Sequence, residues 1–308
     1  MIQPIGQSLP LRRGAVEARI GSVAATLRSL TVGGAHLTQP TRDDRVPSSS
    51  NGIALAPWPN RVRDARWTWR DQPQQLDVTE PERDNALHGL LRFTDYEVRE
   101  RSEDAVTLGA VIYPQHGWPF LLETWMRYRL LDDGIEVVHG ARNHATEPAP
   151  FAAGSHPFLR VGDVPIADLA LVVPASRYVA VDDRLNPTGL VPVGGTALDL
   201  RDGPRVGGLA LDTAYGEIAF TDVVDGRGTS ASLIAPDGSR TILRQDLDWG
   251  WVQVYTSHEF RGDDGPIDAI AVEPMTAPPD ALNSGTGLHW IEPGESWEGG
   301  WELRRVEA

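Results

Sequence analysis

The chain has 308 residues, 41% hydrophobic and 23% charged, and its 43 acidic side chains outnumber 28 basic ones for a net charge of −15. That balance argues against nucleic acid, whose phosphates need a basic face, and against anionic membranes. Cys and Lys are both absent, which removes disulfides, thiolate nucleophiles, Cys-ligated zinc, Schiff bases and a P-loop lysine. The opening MIQPIGQSLPLRRG lacks the apolar core of a signal peptide, and no apolar run approaches the ~18 residues of a membrane span, so a cytoplasmic protein is expected.

Helical periodicity is scarce. Short β-like runs stand between Gly, Pro, Asn and Asp turns along the whole length. In chain order the spacing predicts strands at 15–20, 24–32, 66–70, 106–113, 123–131 and 135–143. Further strands are predicted at 169–173, 217–221, 231–234, 251–255, 270–273 and 297–305. Segments 177–189 and 194–203 read as connectors. The 31 Gly and 24 Pro are spread as turn punctuation, and no linker, composition shift or fixed-period repeat divides the chain. An all-β sandwich or barrel is expected, with residues 1–308 forming one domain.

Five stretches carry chemistry. In NGIALAPWPNRVRD (51–64), Pro57 and Pro59 stiffen a loop that presents Asn60 and Arg61, an amide beside a guanidinium suited to sugar hydroxyls. NALHGLL (85–91) places His88 before Gly89, where a turn or close approach is allowed. In GSHPFLR (154–160), Pro157 biases His156 to an extended conformation, so the imidazole is held as a general acid needs. WVQVYT (251–256) alternates, with Trp251, Gln253 and Tyr255 on one face and Val252 and Val254 on the other. Last, IAVEPMTAPPDALN (270–283) ends an apolar strand on Glu273, and Pro274, Pro278 and Pro279 are expected to stop the ladder and rigidify the loop. Desolvation and fixed placement suit Glu273 to general-base work. PQHGWPF (114–120) reads as a turn with an aromatic plug, and His116 as uninvolved. The eight His show no paired metal-ligand spacing, so no metal and no cofactor are expected.

The joint order of these motifs, NR, HG, HP, NPTG, the lone Asp212 of LDTAY, QVYT and EP…PDALN, resembles the aldose 1-epimerase (galactose mutarotase) family from about Asn51 onward. The resemblance implies a galactose mutarotase-like supersandwich, a large antiparallel β-sandwich. It implies Glu273 as general base, His156 as general acid, and Asn60, Arg61, His88, Asp212 and Gln253 as sugar-binding residues. The sequence departs at Phe158, where the family often has Tyr, and at Thr213–Tyr215, where it often has His and an aromatic. The implied reaction is mutarotation of a free aldose such as galactose or glucose by a monomer or homodimer. Glu273 would start as carboxylate and His156 as imidazolium. Three alternatives remain open on the residues alone. They are a hexose-6-phosphate mutarotase, with Arg63 and Arg66 taking the phosphate; a glycoside hydrolase, with Asp212 as second carboxylate; and a non-catalytic carbohydrate-binding sandwich.

Overall fold

The computed structural model describes residues 3–262 and 264–308. Two large antiparallel sheets dominate. In the first, nine strands include the consecutive ladder Glu97–Arg101, Ala105–Ile112, Leu122–Leu130 and Gly134–Asn143, which continues through Ser296–Val306 to Arg240–Asp246, Arg227–Ile234 and Ala170–Val172. Strand Leu122–Leu130 shows why this chain folds as sheet. Leu122, Thr124, Met126, Tyr128 and Leu130 are buried, while Glu123, Trp125, Arg127 and Arg129 point outward, a period of two.

The second sheet has eight strands. Its main path runs Pro187–Pro192, Ala175–Val181, Asp212–Ile218, Trp251–Arg261, Pro266–Met275, Gly154–Ser155 and Ala54–Leu55, and Phe158–Leu159 pairs beside Gly154–Ser155 on the strand Pro266–Met275. Inward residues of both sheets meet in one apolar core. Val252, Val254, Ile270 and Val272 come from the second sheet, and Ile135, Val137, Leu243, Trp301 and Leu303 from the first. Each such burial contributes about 1.5–3 kcal/mol. A four-stranded sheet (Ser8–Arg13, Val16–Gly21, Thr26–Val32, Ala35–His36) adds Leu9, Leu11, Ile20 and Leu27 to the same core. The β-sandwich expected from the sequence is the observed fold. No helix among the described residues is long and apolar enough to cross a membrane.

Three expectations need correction. Pro274 does not end the ladder: it pairs with Val252, and Met275 with both Trp251 and Gly154. A proline fits where the strand needs no donated hydrogen bond. The run 217–221 is not one strand either, because Asp212–Ile218 stops and Thr221–Val224 begins within it. The connector 177–189 is largely strand, in Ala175–Val181 and Pro187–Pro192. The Pro114–Phe120 turn closes as expected, with Trp118 and Phe120 buried and the His116 side chain 86% exposed.

Candidate active site

Strands Trp251–Arg261 and Pro266–Met275 lie side by side in the second sheet, in a register that sets Gln253 opposite Glu273 and Tyr255 opposite Ala271. Since Val252, Val254 and Val272 face the core, Gln253 and Glu273 necessarily project from the sheet's other face. Glu273 is only 2% exposed.

His156 is delivered to the same spot by the chain that crosses over this strand. Gly154 pairs with Met275 and Phe158 with Ala271, so residues 155–157 span Val272–Pro274. The backbone is tied on both sides: His156 N–H donates to Ile53 O (3.1 Å), Gly52 N–H to His156 O (2.8 Å), and Val272 N–H to Pro157 O (3.2 Å). The imidazole stacks on Phe158 (centroids 5.5 Å, 20°) and meets His88 edge-on (5.3 Å, 83°). Its Nε2 lies 3.3 Å from Glu273 Oε1.

The remaining walls come from two laced loops. Asn60 (φ 54°) and His88 (φ 63°) both occupy the left-handed region, uncommon for side chains of their size. His88 N–H donates to Asn60 O (2.8 Å), and Arg61 pairs with Leu87. Gly89 is required here: a Cβ would stand 2.0 Å from Ala56 O. From the far end of the chain, Asp280 locks the loop. Its N–H donates to Arg61 O (2.6 Å), while its Oδ1 accepts from Arg63 N–H (3.0 Å) and Asn283 Nδ2 (2.7 Å). The conspicuous PDALN signature thus builds the wall and does not itself line the cleft.

Arg61 is held by its Nε and Nη2, which donate to the two oxygens of Glu80 at 2.9 and 3.0 Å; Nη2 also stands 3.7 Å from Asp212. Gln253 Nε2 donates to Asp212 Oδ1 at 2.5 Å. All seven residues singled out from the sequence therefore line one cleft of about 290 Å³, together with Ser49, Ser50, Glu80, Arg83, Leu87 and Tyr255. Sequence reasoning missed Glu80 and Arg83, in a polar TEPERD stretch with no apolar frame around it. Trp251, expected on the same strand face as Gln253 and Tyr255, does not line the cleft and packs against Val179, Ala214 and Met275. Arg63 and Arg66, the phosphate candidates, also turn elsewhere. Arg63 donates to Pro187 O and lies 3.7 Å from Asp280, and Arg66 donates to Gln75 at 2.5 Å. Among the described residues no group of three His, Cys, Asp or Glu is arranged to hold a metal ion.

Burial governs the electrostatics. It raises the Glu273 carboxyl well above its ordinary range, a shift reinforced by Asp212 and opposed by Arg61. Burial likewise lowers His156 to about 4 and pushes His88 well below its usual value, with Arg61 adding to both shifts. Both shifts favour the neutral forms, a carboxylic acid beside an imidazole, over the carboxylate and imidazolium expected of the pair. Four buried polar atoms in this cleft have no partner among the described residues: His88 Nδ1, His156 Nδ1, Gln253 Oε1 and Glu273 Oε2. Buried polar atoms are seldom left so, which marks the cleft as built for a polar ligand.

The sequence profile described as Aldose 1-epimerase matches residues 7–304. The Uncharacterized protein YihR of Escherichia coli (strain K12) is 32% identical over 295 residues, 94% of this chain and 90% of that one. The galactose mutarotase of Mus musculus is 32% identical over 158 residues, 48% of this chain and 44% of that protein. Among solved structures, the GalM/aldose epimerase homologue from C. elegans superposes with a TM-score of 0.84 at 18% identity, covering 98% of this chain and 99% of that one. A galactose mutarotase-like protein from Clostridium acetobutylicum gives 0.84 at 16%, covering 98% and 95%. At such identities the structural likeness shows the fold, while the profile spanning nearly the whole chain decides the family. The chain belongs to the aldose 1-epimerase family.

Proposed function

We propose that the protein is a mutarotase that interconverts the α and β anomers of a free aldose, with Glu273 as general base and His156 as general acid. The observation that carries this reading is the buried contact of 3.3 Å between His156 Nε2 and Glu273 Oε1 on the wall of a polar cleft. Ring opening removes the proton from the anomeric O1 and places one on the ring oxygen O5. The C1–O5 bond breaks, C1=O forms, rotation about C1–C2 exposes the other face, and closure reverses both transfers. No cofactor is needed.

The neutral acid–imidazole pair holds as many protons as the carboxylate–imidazolium pair, so one transfer across the contact creates the reactive form. Arg61 favours that carboxylate. A carboxylate whose conjugate acid is weak is a strong base, and an imidazolium that deprotonates near pH 4 is a strong acid. Ring opening then returns the pair to the neutral state that burial prefers. Asn60, Arg61, His88, Asp212 and Gln253 would hold the sugar hydroxyls, which both donate and accept and so match the unpartnered atoms.

The test is polarimetry or NMR exchange between anomers on fresh α-glucose, α-galactose, xylose and arabinose. Acceleration by the wild type that vanishes in Glu273→Gln and His156→Ala supports the reading. A folded wild type that accelerates none of the four sugars refutes it.

A further inference from the structure

One carboxylate in the cleft has no part in the scheme above. Glu80 is 7% exposed and makes a two-pronged contact with Arg61, in which Nε meets Oε2 at 2.9 Å and Nη2 meets Oε1 at 3.0 Å. It is not on a loose loop. Glu80 N–H donates to Asn85 O (3.0 Å), Arg83 N–H donates to Glu80 O (3.1 Å), and Asn85 Oδ1 accepts from Asp64 N–H (3.2 Å). The turn carrying Glu80 is thereby closed on itself and fastened to the Arg61 loop through Asn85 and Asp64, beside the Arg61–Glu80 contact.

The fork leaves Arg61 Nη1, which also approaches Asn60 Oδ1 at 3.4 Å, as its main free edge. Other groups compete for this guanidinium. Asp212 lies 3.7 Å away, and Glu273 acts on it through space. Freed from Glu80, Arg61 is drawn toward Asp212, which would disturb the 2.5 Å bond from Gln253, and toward Glu273 itself.

We propose that Glu80 is a positioning residue: its carboxylate clamps Arg61 in the cleft wall, offsets the guanidinium charge, and keeps Arg61 from collapsing onto Asp212 and Glu273. The inference rests on the reading of Glu273 and His156 as the working pair. The charged and titratable groups around the clamp are Arg83 (3.3 Å) and Arg92 on the Glu80 side, with Asp212, Glu273, His88 and His156 on the Arg61 side. Neutralising Glu80 leaves Arg61 opposed chiefly by Asp212, with more of its charge acting on Glu273, so the pair gives up its proton at lower pH.

The deciding experiment is an NMR titration of the unliganded protein, read at the His156 ring protons and assigned by their loss in His156→Gln. In Glu80→Gln the pH midpoint at which the pair loses its proton falls by about half a unit or more, and Glu80→Asp recovers part of the shift. An unchanged midpoint in folded Glu80→Gln overturns the proposal. Should that variant fail to fold, the Arg61 Nε–H resonance of the wild type decides: slow exchange with water supports the clamp, and fast exchange overturns it. These readouts need no turnover. A wild type without mutarotase activity defeats the proposed function, whereas an active wild type with an unmoved midpoint defeats only the role of Glu80.

Discussion

The burial of His156 has a thermodynamic consequence that can be measured without any sugar. In the unfolded chain the imidazole titrates near 6.5, but in the folded protein it stays neutral down to about 4, chiefly because burial disfavours the cation. A group with a depressed folded value is protonated first in the unfolded state. The associated stability is therefore complete at pH 7.5 and drains away as pH falls through 6.5 toward 4. At about 1.4 kcal/mol per unit the full loss is about 3.4 kcal/mol, of which about 1.3 kcal/mol is reached by pH 5.5. Glu273 shifts in the opposite direction and would mask this. The cleaner comparison is thus Glu273→Gln against Glu273→Gln/His156→Gln, in which His139 cancels and His88, lowered mainly by burial and only secondarily by His156, nearly does. His156 stays buried in the single variant, and burial is the largest cause of its shift. Urea unfolding followed by Trp fluorescence at pH 7.5 and 5.5 should show the stability difference between the two variants changing by about 1.3 kcal/mol. A difference constant within about 0.3 kcal/mol would mean that the imidazole is hydrated in the native state, and the argument built on its burial would fail.

Three further outcomes follow from the same structure. Glu273→Gln should lower kcat by about 10²- to 10⁴-fold with sugar affinity kept; its thermal stability at pH 7 should exceed the wild type's and converge with it below about pH 4.5, since a raised carboxyl costs stability only above its unfolded value. Equal melting temperatures at neutral pH would contradict the burial argument. Gly89→Ala combines φ +76° with a Cβ 2.0 Å from Ala56 O and should cost about 2–4 kcal/mol in urea unfolding; a cost below about 0.5 kcal/mol would show that the His88 loop is slack. Asp280→Ala removes the acceptor for Arg63 N–H and Asn283 Nδ2 and should cost about 1–3 kcal/mol, with Arg61 binding contacts weakened as well; an unchanged melting temperature would refute its locking role.

Strand 122–130, read as 123–131, and the start of 251–261, read as 251–255, were legible because the two-residue period is written in their side chains. Strands at the margins were not. Glu97–Arg101 is EVRER, almost wholly polar because it lies at an edge, and Pro187–Pro192 is mostly exposed and bounded by prolines. Ser8–Arg13, with its central proline, escaped for a similar reason. Six of the seven candidate site residues could be singled out because each sits in a short motif whose neighbours are constrained, while Asp212 came from the family resemblance alone. Their convergence in one cleft is a property of register, Gln253 beside Glu273 and residues 155–157 across Val272–Pro274, which no local window contains. Glu80 stayed hidden because its meaning lies in Arg61, 19 residues away. The direction of the two shifts was likewise beyond reach, since it depends on how deeply the completed fold encloses the pair.

The two faces of the strand pair 251–261 and 266–275 answer to different pressures. Val252, Val254 and Val272 are held to shape by the core, whereas Gln253, Tyr255 and Glu273 answer to whatever occupies the cleft. A substitution at Ser49 alters the cleft lining with little effect on the packing that supports it, whereas Tyr255 also packs against Phe158 and Phe260. Descendants of this scaffold can therefore trade one sugar for another through a few cleft-facing positions, with the folding problem already solved on the other side of the sheet.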